Sequence, residues 1–351
     1  MQSDPAVGVN VAKTMTSAEP DSGVITRESR RDHLVGLLKR QETLLVIAFI
    51  ALFTFFTFQN SVFISVGEIG NNLTEFVSLI LLAVGETFVI ATGGIDLSVG
   101  STAELAGVVG AMAMVHMGGH NETFILLVGT LVCIGVGALV GLVNAVLVNF
   151  VQLVPFVATL VTLGAGAGLA LLFTGGTPVD YDAKAILLTV AKVGPFSYPA
   201  IIIILITIIA GLYFHLARFG RYTLAIGSND FAARAAGINV RRQKSFVYVL
   251  SGIFAGLTGM FIFMRLGSGS PTSADGTELT AIASVVIGGA SLFGGSAKMI
   301  GTVFGALILT IVSSGLIIMN VSPNFNQVAI AICIALAASF EVLVKNARRK
   351  S

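Results

Sequence analysis

The chain is 351 residues long; 55% of its residues are hydrophobic, only 11% are charged, and the formal net charge is +2. Soluble globular domains carry about 25% charged residues, so this composition excludes a soluble two-domain protein. The small net charge gives no indication of a nucleic-acid partner, and we expect none; the expected surroundings are membrane lipid.

Apolar stretches of membrane-spanning length fill the sequence from Thr43 to Val344. A helix needs about 20 mostly apolar residues to cross ~30 Å of hydrocarbon. The pattern therefore predicts an all-α, polytopic transmembrane helical bundle of about ten spans within one domain, residues 43–344. The predicted spans are residues 43–59, 74–92, 97–117, 123–148, 155–174, 199–217, 246–266, 278–295, 299–319 and 326–344.

The polar segments at the two ends are predicted to be cytoplasmic tails. Residues 1–42 have no leading apolar stretch, so we expect a tail there and not a cleavable signal peptide, and residues 345–351 form a second, short tail. With the N-terminus inside, 17 of the 20 Lys and Arg residues fall on the cytoplasmic side. We therefore expect a multi-pass protein of the bacterial cytoplasmic membrane with both termini cytoplasmic.

Glu86 is an acidic residue inside the second predicted span. A carboxyl group there costs several kcal/mol unless it is paired, protonated or hydrated, so its side chain is expected to face the bundle interior. Contact with a solute and a purely structural hydrogen bond both fit this position.

A glycine-rich turn, residues 93–101, follows and resembles residues 288–296 further along. Unpaired backbone is not tolerated in hydrocarbon, so both turns, placed at the cytoplasmic boundary, are expected to face protein or a polar pathway. Ser101 and Glu104 have the spacing of a capping box. Asp96 and Ser98 either cap the next helix or line a solute path.

Further polar residues cluster around the fourth and fifth spans. They line a path for a hydroxyl-bearing solute or form interhelical hydrogen bonds. The residues predicted for a pathway are Glu86, Asp96, Ser98, Asn144, Asn149, Thr159 and Thr162. Near the outer end of the seventh span, Arg265 and Glu278 are expected to form an ion pair.

A basic cytoplasmic loop, residues 218–245, contains a short predicted helix with Asn229 as N-cap and Gly237 as C-cap. Phe231, Ala235 and Ile238 would share one face, and the small alanines would let the helix lie deep in a partner's groove. The alternative is an amphipathic helix resting on lipid headgroups.

Together, these segments resemble the monosaccharide permeases of ATP-binding-cassette (ABC) importers, which move ribose, xylose and related sugars. The resemblance extends from about Asn71 to Leu343. Three residues differ from those usual in the family: Ala145 and Ser228 stand in place of glycine, and Glu86 in place of a neutral residue. The segments that carry it are residues 93–101, 144–148, 155–160, 229–240, 265–268, 278–289 and 291–295.

The resemblance implies a type II ABC importer permease fold and a homodimer served by two ABC ATPase subunits and an extracytoplasmic sugar-binding protein. It also implies that residues 228–237 are the coupling helix that docks into the ATPase. The residues predicted to carry this contact are Ser228, Asn229, Phe231, Ala232, Ala233, Ala235, Ala236 and Gly237. The sequence has no Gly-x-x-x-x-Gly-Lys-Ser/Thr phosphate loop, so ATP hydrolysis is assigned to a separate subunit.

Two other transport functions are also compatible with these residues. One is a branched-chain amino-acid ABC permease, which has a similar bundle, and the other is a secondary transporter coupled to protons through Glu86 or Asp96. An enzyme is not expected, because no nucleophile and base pair is recognisable. No cofactor or metal is predicted either, because the four histidines lack ligand spacing.

Overall fold

A computed structural model describes residues 41–117, 121–181 and 192–322, and isolated residues between 325 and 339. Within these residues, eight helices are long and apolar enough to cross a membrane. They are α1 (Gln41–Gln59), α2 (Val66–Ala91), α3 (Val99–His116), α4 (Glu122–Asn149), α5 (Pro155–Thr174), α6 (Tyr198–Leu216), α9 (Val240–Leu266) and α11 (Met299–Ile318).

Shorter elements connect the long helices. They are a 3-10 helix (Ser61–Ile64), α7 (Arg218–Ser228), α8 (Asp230–Ala235), α10 (Thr277–Ile287), β1 (Val179–Asp180), β2 (Lys192–Val193), β3 (Phe196–Ser197) and β4 (Ser268–Gly269). The strands pair antiparallel, β1 with β4 and β2 with β3. Each strand is only two residues long, so the fold is helical in all but its connections.

The predicted bundle is confirmed for eight of the expected spans, namely the first seven and the ninth. The eighth prediction, residues 278–295, is wrong, because α10 is only 11 residues long and ends at Ile287. Gly289 has a φ of 89° and Gly294 one of 81°, a left-handed conformation that ends a helix. Of the tenth predicted span, 326–344, only isolated residues are described. Of the predicted tails, residues 1–40 and 345–351 lie outside the described residues, while Gln41 and Glu42 belong to α1.

Local sequence determines where the long helices begin and end. Ser65 caps α2, its Oγ accepting a hydrogen bond from the amide of Glu68 at 3.2 Å. Pro155 opens α5, where a missing amide hydrogen is tolerated. Gly267 closes α9 with a left-handed φ of 72°.

The centre of the bundle is packed through glycines on α4 and α9. A Cβ atom on Gly137 would overlap the carbonyl oxygen of Gly252, and one on Gly256 would overlap that of Cys133. The two helix backbones are therefore in direct contact, as small-residue pairs allow. Gly164 and Gly168 on α5 have the same spacing, but a Cβ atom on either would have no other atom within 4 Å in the described structure.

Two ends of the bundle are used as references below. The α8 end holds α7, α8 and the first turn of α9; the C-terminus of α2 also lies there, because Gly227 of α7 packs against Ala91. The far end holds the C-terminus of α9 and the N-terminus of α10. Helix α2 runs from the far end to the α8 end and is almost wholly buried from Phe76 onward.

Candidate solute pathway and coupling region

The first glycine-rich turn enters the bundle. After Gly93, with a φ of 80°, the chain turns back alongside α2. The amide of Asp96 donates a hydrogen bond to Glu86 Oε1 at 3.1 Å. Glu86 lies five residues before Ala91, the last residue of α2, which is about 7.5 Å along the helix axis. The turn was predicted at the membrane boundary; instead, Asp96 is buried deeper in the bundle.

Asp96 is the centre of a hydrogen-bonded cluster and is only 1% exposed. Its Oδ1 accepts from the amide and the hydroxyl of Ser98, at 3.0 and 2.6 Å, and its Oδ2 accepts from the hydroxyl of Ser251 at 3.0 Å. Asn144 Nδ2 donates to Ser98 Oγ at 2.8 Å, and Thr162 donates to Asn144 Oδ1 at 2.6 Å. This network joins α3, α4, α5 and α9, and Ser251 was not among the predicted residues.

Six of the seven predicted pathway residues meet at this cluster. Thr159 joins it through its hydroxyl, which lies 3.1 Å from the carbonyl oxygen of Ile95. The exception is Asn149, whose Nδ2 donates to Ser245 Oγ at 3.0 Å near the α8 end. The sequence therefore identified the members of the polar cluster, while their role in a pathway stays a prediction.

Glu86 is fully buried, and its second carboxyl oxygen, Oε2, has no hydrogen-bond partner among the described residues. The hydroxyl of Tyr248 lies against Gly94 and is likewise buried without a described partner. None of the salt bridges found in the described part of the chain involves Glu86 or Asp96. Two acidic groups are thus buried together without a neighbouring cation.

The predicted capping box at the start of α3 is wrong. Ser98, and not Ser101, is the N-cap residue, and its side chain makes no capping hydrogen bond. Ser101 donates to the carbonyl oxygen of Ser98 at 3.1 Å, while Glu104 Oε1 accepts from the amide of Ala274 at 2.9 Å. Glu104 therefore ties α3 to the connection after α9.

The predicted helix in the basic loop is present as α8. Asn229 is its N-cap and accepts a hydrogen bond from the amide of Ala232 at 2.9 Å. The C-cap is Ala236, and Gly237 follows it with a φ of 82°. Residues 240–245 of the predicted loop belong to the first turns of α9.

The exposed face of α8 differs from the predicted one. The side chain of Phe231 is 82% exposed, and Ala235 is exposed beside it. Ile238, expected on the same face, packs inward with Ala233 against Ile226. Ala233 therefore packs against its own chain, which corrects the prediction that it contacts the ATPase. The other predicted docking residues in this segment, Ala232, Ala236, Gly237 and Asn229, are exposed.

Charged side chains stabilise α8 at its surface. Arg234 Nε contacts Asp230 Oδ1 at 2.8 Å, and Lys244 Nζ contacts Asp230 Oδ2 at 3.4 Å. The hydrogen bond from Arg234, assisted by the positive charge of Lys244, holds the pKa of Asp230 below its ordinary value. The contact between Asp230 and Lys244 therefore connects α8 to α9 by charge, in addition to the covalent connection.

Glycine residues bring α7 and both glycine-rich turns into contact, at a place we call the glycine junction (Ala91, Gly93, Gly227, Gly294 and Gly295). The amide of Gly295 donates to the carbonyl oxygen of Ala91 at 3.0 Å. A Cβ atom on Gly227 would overlap both of these groups, and one on Gly294 would lie 2.6 Å from the Gly93 nitrogen. Ser228, next to α8, donates to the carbonyl oxygen of Gly295 at 3.4 Å. Helix α8 is therefore linked through Ser228 to the second turn, which contacts Gly93 of the turn that carries Asp96.

A cavity of about 380 Å³ lies nearer the far end, between α2, α9, α10 and α11. The residues that line it are Glu75, Ser78, Leu79, Leu82, Thr258, Ile262, Arg265, Leu266, Ser273, Thr277, Thr280, Leu309, Thr310, Ser313 and Ile330. The predicted ion pair of Arg265 with Glu278 is not among the described salt bridges, and Glu278 lies beside Gly100 instead. Sequence reasoning missed Glu75, Thr310 and Ser313.

A bundle of long apolar helices, with a re-entrant polar turn, a cavity and an exposed helix at one end, defines a multi-pass membrane transport protein. The sequence profile of one family, described as "Branched-chain amino acid transport system / permease component", matches residues 68–338. The chain belongs to this family of permease components.

Relatives of known name cover nearly the whole chain. The ribose import permease protein RbsC of Escherichia coli (strain K12) is 36% identical over 92% of this chain and 99% of the relative. RbsC of Bacillus subtilis (strain 168) is 35% identical over 88% of this chain and 95% of the relative. The galactose/methyl galactoside import permease protein MglC of Escherichia coli (strain K12) is 32% identical over 87% and 94%, respectively.

Proposed function

We propose that this chain is the membrane permease subunit of an ATP-driven importer for a monosaccharide such as ribose or xylose. The named relatives are import permeases for ribose and galactosides, and they match the chain almost end to end. The observation that carries the proposal is the position of α8. This helix exposes Phe231 to a partner and is adjacent to the glycine junction, through which a partner can move the buried turn.

The proposed assembly contains two copies of this chain, two ABC ATPase subunits at the α8 end and a sugar-binding protein at the far end. The α8 end and both termini would then be cytoplasmic, as the distribution of Lys and Arg favours. In this assembly the chain performs no bond chemistry itself, and hydrolysis of ATP belongs to the ATPase subunits.

The proposed mechanism is alternating access driven through α8. Closure of the ATPases on nucleotide displaces α8 and α7, and the glycine junction leaves no free space to absorb that displacement. The turn at residues 93–98 therefore moves with α7, and the hydrogen-bonded cluster around Asp96 changes its alignment with Glu86. We propose that the predicted residues Glu86, Asp96, Ser98, Asn144, Thr159 and Thr162 border the path at this level, and that Asn149 borders it nearer the α8 end.

The test is ATP-dependent uptake of D-ribose by proteoliposomes that contain the chain with its ATPase and binding protein. Replacing Phe231 with Asp places a charge in the proposed contact and is expected to abolish uptake while leaving basal ATP hydrolysis. Replacing Phe231 with Leu keeps an apolar side chain and is expected to retain most uptake. Equal uptake by both variants would contradict the coupling role of α8.

Experiments on the same proteoliposomes distinguish two other transport functions from the proposed one. The family description favours branched-chain amino acids as a second candidate substrate, and competition of uptake by L-leucine against D-ribose distinguishes them. The buried Glu86 and Asp96 motivate the proton-coupled alternative. Uptake that survives ATP depletion and collapses with the proton gradient would support that alternative over the importer.

A further inference from the structure

We propose that the cavity between α2, α9, α10 and α11 is a transient binding site for an uncharged, polyhydroxylated solute of monosaccharide size. The proposal rests on the proposed importer function and assigns a place to the solute within it. Its volume, about 380 Å³, falls in the range of roughly 300–1,000 Å³ typical of small-molecule sites.

The cavity lining contains hydrogen-bonding groups from all four helices. Helix α2 contributes Glu75, α9 contributes Arg265, α10 contributes Thr280, and α11 contributes Thr310 and Ser313. A carboxyl group, a guanidinium group and several hydroxyls together offer both donors and acceptors, as the hydroxyl groups of a sugar require. Apolar lining residues, such as Leu79 and Leu309, offer surfaces for its C–H groups.

Thr310 provides an independent indication that a ligand belongs here. Its side chain is 3% exposed, it lines the cavity, and its hydroxyl has no hydrogen-bond partner among the described residues. An unpartnered buried hydroxyl costs free energy, and a solute hydroxyl in the cavity would provide the missing hydrogen bond. Beside it, Ser313 donates to Glu75 Oε1 at 3.3 Å, which positions the carboxyl group at the wall of the cavity.

Two of the helix faces that line the cavity continue toward the buried polar cluster. On α2, Glu75, Leu79 and Leu82 line the cavity, and Glu86 follows at the next helical repeat. On α9, Thr258 lines the cavity, and Ser251, the partner of Asp96, lies two turns closer to the α8 end on the same face.

The two helices are in close contact just beyond the cavity. A Cβ atom on Gly85 of α2 would lie 3.1 Å from the Cα of Ser251 on α9. This contact lies between the cavity-lining residues of α2 and the glycine junction. In the proposed importer, this close packing would serve as a barrier between the solute site and the α8 end. Movement of the turn that carries Asp96 would act on this barrier, because Ser251 donates to Asp96.

The test is the number of D-ribose molecules imported per ATP hydrolysed in the reconstituted importer, with the binding protein at saturation. Replacing Thr310 with Val removes the hydroxyl and keeps the shape, and is expected to lower this ratio about threefold to tenfold, the effect of one lost hydrogen bond. Replacing Thr310 with Ser keeps the hydroxyl and is expected to restore the ratio. Thr207 is the matched control, because its hydroxyl is also buried without a described partner but lies on α6, away from the cavity.

A second measurement reads occupancy directly. Ser78 is half-buried and lines the cavity, so replacing Ser78 with Cys should permit labelling by a membrane-impermeant thiol reagent, with the wild-type chain as background. D-ribose at millimolar concentration is expected to slow this labelling, whereas L-leucine is not. Protection by L-leucine alone would overturn the assignment to a polyhydroxylated solute.

The possible outcomes distinguish failure of the cavity assignment from failure of the proposed importer function. If the wild-type chain imports D-ribose while the Val variants at 310 and 207 behave alike and D-ribose gives no protection, the cavity assignment fails and the importer function stands. If the wild-type chain imports no monosaccharide, the importer function fails and the cavity assignment fails with it. Loss of import only in the Thr310→Val variant, with rescue by Ser and protection at position 78, supports both.

Discussion

The two ends of α2 are surrounded in opposite ways. At the α8 end, the glycine junction holds the backbones of α2, α7 and the second turn so close that no Cβ atom fits at Gly227. Toward the far end, the same helix borders a cavity of about 380 Å³, with a hydroxyl in its wall that has no partner among the described residues. Tight backbone contact transmits displacement, whereas a cavity accommodates a solute. The contrast agrees with the proposed roles, in which force is transmitted at the α8 end and a solute binds toward the far end.

The largest effect is expected from filling the glycine junction. Replacing Gly227 with Ala forces a methyl group against the carbonyl oxygen of Ala91 and the amide of Gly295. Overpacking against backbone costs about 1–3 kcal/mol, so we expect a lower thermal unfolding temperature in detergent and no import. The control is Gly164→Ala on α5, where no atom lies within 4 Å in the described structure. Equal stability of the two variants would remove the distinction between the two ends.

The next effect concerns the cluster beside the junction. Replacing Asp96 with Ala leaves the hydroxyls of Ser98 and Ser251 without their buried acceptor. Each orphaned group costs about 1–3 kcal/mol, so chemical denaturation should show a clear loss of stability. Asp96→Asn keeps one carbonyl acceptor and should lose less. A neutral result for Asp96→Ala would mean that the cluster does not hold the turn in place.

Replacing Glu86 with Gln is expected to leave stability unchanged or to raise it by up to about 1 kcal/mol. A buried carboxylate without a cation is costly, and Gln retains an acceptor for the amide of Asp96. Thermal unfolding and D-ribose import measure the two consequences. Import that the Gln variant retains would contradict proton coupling through Glu86, because an amide cannot carry the transported proton.

The smallest effect is expected at the exposed ion pair of α8. Arg234 and Lys244 lower the pKa of Asp230 in the folded chain. The stabilisation of the fold by this ion pair is therefore fully present above the unfolded pKa near 3.8, and it is lost as the pH falls through the lower pKa of the folded chain. Exposed pairs are worth about 0.2–1 kcal/mol, so Asp230→Asn should lower stability only slightly at neutral pH. The difference from wild type should shrink below about pH 4, and a difference that grows there would contradict the ion pair.

Local rules in the sequence predicted the elements whose causes are local. Stretches of apolar residues identified eight helices, and Asn229 was recognised as the cap of α8. Residues 278–295 are apolar enough for a span, but Gly288 and Gly289 end the helix because backbone freedom outweighs hydropathy there. Length and composition alone do not register such an interruption.

The sites were predictable only in part, because they depend on which helix faces meet. Polar residues around the first turn were few and chemically distinctive, and six of them converge on Asp96 as a group. Ile238 was assigned to the exposed face of α8 but packs inward with Ala233, since a helix of six residues has too few positions to fix its orientation. Glu75, Thr310 and Ser313 are ordinary residues within their own spans, and only the packing of α2 against α11 brings them together.

The interlocked glycines of α3, α4 and α9 have a consequence for how the protein changes shape. Gly137 and Gly252 abut, as do Gly107 and Gly259, so that neither pair of helices can slide without atoms colliding. We therefore expect α3, α4 and α9 to move together as one rigid body during a transport cycle. Relative motion would then occur where this rigid body meets the remaining helices. Cross-links within it should leave turnover unchanged, whereas cross-links between it and α2 should stop turnover.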